Sequence, residues 1–246
     1  MNSRVGTSEL IDLLISFVVL TIAFSLRAGL GSLSNINAVY RMYFPGAGPV
    51  DLTFSDLLIV SAIGVGTGFM LHELAHKYMA QRYGYWAEYK ASPMGLVITV
   101  VLAAVAGIIF AAPGAVQIRK ANYTAPQSTY NYNDDSYWDS LDRHTGGEEG
   151  QIAAAGPMTN LILAGIFLSL LMTGMLGSKT IMAAAASYAM SINLILAGFN
   201  MIPIDPLDGA KVLRSSPVMY AVIGLPAIIL GLIAMFMPGL LFGFLS

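Results

Sequence analysis

The 246-residue sequence contains no cysteine, only three histidines, and charged residues at just 11%. The missing cysteine excludes a disulfide framework, a thiolate metal site and a cysteine nucleophile. Any metal must therefore be held by His, Asp or Glu. A soluble domain carries about 25% charged residues, so the deficit of charge excludes an ordinary soluble fold. What takes its place is apolar: 56% of residues are hydrophobic and the mean hydropathy is +0.69. The net charge is −2, with no basic patch of the kind a nucleic-acid partner requires.

The apolar residues are gathered into long runs. Five of them, Leu10–Leu30, Leu57–Met79, Ile152–Leu176, Ile181–Met201 and Val218–Phe244, reach the roughly 20 residues a helix needs to cross a hydrocarbon core. The first is long for a signal-peptide core and reads as a retained transmembrane helix. The last is interrupted by Pro226 and Pro238, which predicts a kink or an interfacial tail. Fold class follows: an all-α polytopic membrane helix bundle, forming one domain over residues 1–246, with the lipid bilayer as its surroundings. A sixth segment, Met94–Ala112, is long enough to span but rich in β-branched residues. Periodicity alone does not separate a buried helix from a hairpin there. The polar stretch Ala115–Glu149, with Tyr123, Tyr130, Tyr132, Tyr137 and Trp138, reads as a solvated and partly interfacial loop.

Two of the three histidines fall in His72-Glu73-Leu74-Ala75-His76, an H-E-x-x-H pattern on a helical segment. Residues i and i+4 share a helix face, so both imidazoles can reach one cation. Glu73 lies about 100° round the helix. It flanks such a cation as a carboxylate able to take a proton from activated water. His76 precedes the interfacial cluster Arg82, Tyr83, Tyr85 and Trp86 by about eight residues, roughly 12 Å at helical rise. The pair is thus sunk in the bilayer, where ionisable groups are costly and functional by default.

Zinc at a catalytic site takes three protein ligands and leaves a fourth position open. The candidates for the third are Asp208, Asp205 and His144. Asp208 is favoured because Pro203 and Pro206 unwind the chain just before it. Irregular backbone at membrane depth is tolerated where it lines a cavity.

Three motifs occur in order: His72–His76, then Gly156-Pro157-Met158-Thr159-Asn160, then Asn200-Met201-Ile202-Pro203 followed by Asp208-Gly209. With them the chain resembles the site-2 protease family of intramembrane zinc metalloproteases. The resemblance implies that His72, His76 and Asp208 ligate one zinc ion per chain and that Glu73 is the catalytic acid and base. It implies that Asn160 and Asn200, with Asn193 on the same helix as Asn200, line the substrate cleft. The catalytic core would span about residues 55–215, and the partner would be a transmembrane-helix protein substrate. The segment Met94–Ala112 is long and apolar for its place between the first two motifs, and Asp205 adds an acid beside the expected ligand.

The expected ligand set constrains topology. The helices Ile152–Leu176 and Ile181–Met201 cross twice and return Asp208 to the side they left. If Met94–Ala112 also crossed, Asp208 would emerge a bilayer thickness from the histidines. That segment should therefore be re-entrant or a membrane-associated β-hairpin. Nine basic residues, Arg4 and Lys77 among them, then share the side of the metal, against Arg27, Arg41 and Lys179 opposite. The positive-inside bias makes this side cytoplasmic in a multi-pass protein of the cell membrane. The expected activity is hydrolysis of peptide bonds in transmembrane helices within the membrane, the hairpin holding the unwound substrate strand. The rival is a non-catalytic, zinc-stabilised membrane binding protein.

Overall fold

A computed structural model describes residues 6–27, 52–106, 113–120, 146–176 and 181–237. Five helices in it are long and apolar enough to cross a membrane. They are α1 (Thr7–Arg27), α2 (Phe54–Arg82), α4 (Gly146–Met172), α5 (Ile181–Asn200) and α7 (Pro217–Phe236). Between α2 and α4 come β1 (Tyr85–Ala91), α3 (Pro93–Ala106) and β2 (Gly114–Lys120). The short α6 (Asp208–Ser215) joins α5 to α7. Outward-facing Leu, Ile, Val and Phe side chains on α1, α4 and α7 supply the lipid contact.

Helix α5 is the hub, buried along most of its length, and it packs on α2, α4 and α7. Its alanine-rich first half admits close neighbours. A Cβ on Gly64 of α2 would lie 2.3 Å from Ile192 of α5, and one on Gly68 would lie 2.9 Å from Leu196. The Gly64-x-x-x-Gly68 pattern is thus a close-packing seam between two membrane helices. Among the described residues, two wide π-type turns interrupt the long helices. One, Gly66–Met70, immediately precedes the H-E-x-x-H turns, a common placement beside functional sites. The other, Tyr220–Gly224, precedes Pro226, whose ring cannot accept a regular helical turn behind it. Pro238 and the remainder of that expected kink lie outside the described residues.

The segment Met94–Ala112 behaves differently from one of its two expected forms. It is not itself a hairpin: Pro93–Ala106 is helix, packed on α1. The strands flank it. β1 and β2 pair antiparallel, with Tyr85 opposite Lys120 and Ala91 opposite Gly114. An excursion whose two ends are hydrogen-bonded neighbours begins and finishes at the same depth, so it does not change sides. The β-branched run is helical because a segment among membrane helices must satisfy its backbone internally, and a helix does so without a partner strand. The polar stretch expected as loop from Ala115 is strand to Lys120 and helix from Gly146; residues 121–145, with His144, lie outside the described residues.

The N-terminal turns of α1 brace this unit. Lys77, one residue past His76, donates to both carboxylate oxygens of Glu9 at 2.7 and 2.6 Å, and both residues are buried. The same Glu9 accepts the Tyr89 backbone N–H at 3.1 Å, and Asp12 accepts that of Ala91 at 3.2 Å. Helix α1 therefore caps the outer edge of β1.

Candidate metal centre

Three side chains from two distant stretches of sequence meet at one point. His72 and His76 project from one face of α2, their Nε2 atoms 3.0 Å apart. Asp208, at the first turn of α6, brings Oδ2 to 3.5 Å from His72 Nε2 and 3.1 Å from His76 Nε2. Asp208 reaches them because α5 ends at Asn200 and the chain runs irregularly through Pro203 and Pro206 before α6 begins. The turn closes tightly: a Cβ on Gly209 would lie 2.2 Å from the Met201 carbonyl oxygen.

The chemistry of this donor set suits a divalent cation. His76 Nδ1 lies 2.7 Å from the Ile152 carbonyl, which only accepts, so the ring donates its proton there. In the neutral imidazole Nε2 then carries a bare lone pair aimed at His72 and Asp208, the tautomer a metal ligand needs. One ligand atom from each of the three residues lies within 4.8 Å of the others. Helix α4 passes close over the site at Gly156, where a Cβ would fall 2.4 Å from His76 Nε2 and 2.6 Å from His72 Nε2. The glycine keeps clear the space into which both nitrogens point.

The three residues border a cavity of about 310 Å³, whose wall also includes Glu73, Asn200 and Lys211. Glu73 is buried beside the cluster without joining it. Lys211 Nζ stands 3.8 Å from the other Asp208 oxygen. The rest of the wall comes from β2 (Gly114, Ala115, Val116, Ile118), the start of α4 (Glu149, Ile152, Ala153), Tyr85 of β1, and Pro206 and Leu207 just before α6. Pro157 removes the N–H that would bond the Ala153 carbonyl. At the rim, the Tyr85 hydroxyl donates to Glu148; burial and that carboxylate push the phenol up to about 12.

The other residues singled out in the sequence divide. Asn200 lines the cavity, its amide N–H bonded to the Leu196 carbonyl at 3.0 Å. Asn160 and Asn193 are fully buried and do not border it. Asn193 donates to the Ala189 carbonyl at 2.8 Å. Asp205 faces outward, 65% exposed, and pairs with Arg214 at 2.7 Å, apart from the cluster. Sequence reasoning did not single out Lys211 or the cavity face of β2. Lys211 carried a signal, since it stands three residues beyond Asp208 on a helix and so shares its face.

A sequence profile of peptidase family M50 matches residues 60–187. The chain is 42% identical over 176 residues to "Putative zinc metalloprotease MJ0611" of Methanocaldococcus jannaschii, covering 71% of this chain and 80% of that protein. It is 26% identical over 188 residues to "Putative zinc metalloprotease YwhC" of Bacillus subtilis, covering 70% of this chain and 72% of the relative. No solved structure matches it significantly.

Proposed function

Because the chain belongs to peptidase family M50, the site-2 proteases, we propose that this multi-pass zinc metalloprotease cuts transmembrane-helix substrates within the membrane, using His72, His76 and Asp208 as ligands of one zinc ion and Glu73 as acid and base. The observation that carries the reading is the convergence of those three ligand atoms beside a buried carboxylate, on the wall of one cavity.

Zinc held by this triad supplies a Lewis acid to the scissile carbonyl and the attacking water. The Glu73 carboxylate takes the proton of that water and delivers it to the leaving amine nitrogen. The Ile152 carbonyl holds the His76 ring in its ligating tautomer throughout. Asn200, on the wall, offers its amide to the substrate main chain. The cytoplasmic side is the assigned location of the site, on the nine-to-three distribution of basic residues, in the cell membrane.

A helical substrate shields its carbonyls and must be drawn out as a strand. Strand addition to the sheet provides for this, and among the described residues the edge with neither a partner strand nor the α1 cap is that of β2. The Tyr89 and Ala91 N–H groups turn to Glu9 and Asp12, so the pairs Tyr89–Val116 and Ala91–Gly114 are not hydrogen-bonded to each other. By the same alternation Gly114, Val116 and Ile118 present their main-chain groups away from β1, and all three line the cavity. Val116→Pro removes one outward N–H and leaves the ladder to β1 intact. Cleavage of a model substrate should fall roughly threefold to tenfold, the worth of about one hydrogen bond, with zinc content unchanged. Unaltered cleavage would argue against this edge.

The decisive experiment is metal content together with cleavage of a model transmembrane helix by detergent-purified protein. Wild type should carry one zinc and cleave; Asp208→Asn should lose the metal and the activity together. An Asp208→Asn protein that keeps both would overturn the ligand assignment.

A further inference from the structure

Asn160 is fully buried, and among the described residues neither atom of its amide has a hydrogen-bond partner. Buried polar groups in native proteins are nearly always satisfied, so this one calls for an explanation. His72 presents the complementary problem. Its Nε2 faces Asp208 and His76, but its Nδ1 is buried with no partner. His76 has the Ile152 carbonyl on its Nδ1; His72 has no such carbonyl.

The two unsatisfied groups are neighbours. Helix α4 packs on the motif turns of α2, and Gly156 lies against the His72 ring. Asn160 stands one turn further along the same face of α4, its amide within reach of the His72 ring though not hydrogen-bonded to Nδ1. If Nε2 is given to a metal, the neutral ring must carry its proton on Nδ1 and needs an acceptor there. Metal-bound histidines almost always find one.

Resting on the metal-centre reading above, we propose that Asn160 is the positioning residue for His72, its amide oxygen accepting the Nδ1–H once Nε2 is a ligand. This assigns Asn160 a task behind the metal rather than in the substrate cleft, and it fixes the amide orientation with oxygen toward the ring. The Gly-Pro-x-x-Asn stretch then serves the metal twice: the glycine clears space for both Nε2 atoms, and the asparagine orients one ring from its far side.

The test is zinc affinity of the full chain in detergent, by competition with a fluorescent chelator. Asn160→Leu keeps the size and removes the acceptor; zinc binding should weaken about 10- to 100-fold, the usual effect of losing such a partner. Asn160→Asp keeps an acceptor and should hold zinc within a few-fold of wild type or more tightly. Cobalt-substituted Asn160→Leu should show an altered visible spectrum, whereas the Asp variant should match wild type. Wild-type affinity in the Leu variant overturns the inference. So does a more than tenfold loss in the Asp variant, which stands as a test even if the Leu variant does not fold. Absence of stoichiometric zinc from wild type would instead overturn the metal centre itself, and is read first.

Discussion

Glu73→Gln is expected to leave one zinc per chain and an intact fold while lowering kcat by about 10²- to 10⁴-fold, the range that a positioned acid–base group contributes. Glutamine has nearly the shape of glutamate but cannot take a proton from water. Glu73 is buried on the cavity wall, adjacent in sequence to His72 and outside the ligand cluster, so its loss should not empty the site. KM should change little, because the carboxylate acts on the attacking water rather than on the substrate chain. Zinc content and single-turnover cleavage of a model transmembrane helix measure the two halves of this expectation. Normal cleavage by the variant would remove Glu73 from the mechanism. A wild-type protein that binds zinc yet never cleaves would favour a zinc-stabilised binding protein instead.

The second large effect comes from a single added methyl group. Gly156→Ala is expected to abolish measurable zinc binding or to lower kcat/KM by at least about 100-fold, the scale on which a 1 Å misplacement at a reacting centre acts. The new Cβ would fall 2.4 Å from His76 Nε2 and 2.6 Å from His72 Nε2, closer than carbon and nitrogen approach without bonding. One ring or the helix must move, and either would displace a group proposed as a ligand, where coordination tolerates only a few tenths of an ångström. Helix propensity works in the opposite direction, since alanine is favoured over glycine by about 0.8–1.0 kcal/mol in a helix interior. Helicity by circular dichroism should therefore hold or rise while zinc is lost. Gly165 on the same helix is the control, because nothing lies within 4 Å of its added Cβ. Gly165→Ala should keep zinc and activity. If the two substitutions behave alike, the clearance at Gly156 is not what matters.

These residues also show what could be read from the chain alone. The spans were legible because a bilayer demands long apolar runs. The pair His72 and His76 was legible because i and i+4 coincide on a helix. Parity of crossings required Met94–Ala112 not to cross, and the Ala91–Gly114 pairing agrees with it. The conformation of that segment was not legible. Its β-branched residues suggested strand, but the membrane's demand for internal backbone bonding outweighs that preference. The strand signal lay just outside, in the alternation of Tyr85, Ala87, Tyr89 and Ala91 with Trp86, Glu88 and Lys90, masked by its resemblance to an interfacial aromatic belt. The faces of Asn160 and Asn193 were hidden for a different reason. Their helices are apolar all round, so periodicity marks no preferred side.

The buried bridge from Glu9 to Lys77 ties α1 to the motif turns of α2. Pulling α1 away would strand a lysine in hydrocarbon one residue from His76, and would uncap the Tyr89 amide in the same motion. Breaking such a buried pair costs several kcal/mol, so α1, the motif turns of α2 and β1 are held together as one unit. Across the cavity, Asp205 and Arg214 meet in the open, and the chain between Met201 and Leu207 is neither helix nor strand. Loss of either partner of the Glu9–Lys77 pair is therefore felt through α1, α2 and β1 together, whereas loss of Asp205 or Arg214 is absorbed at the surface.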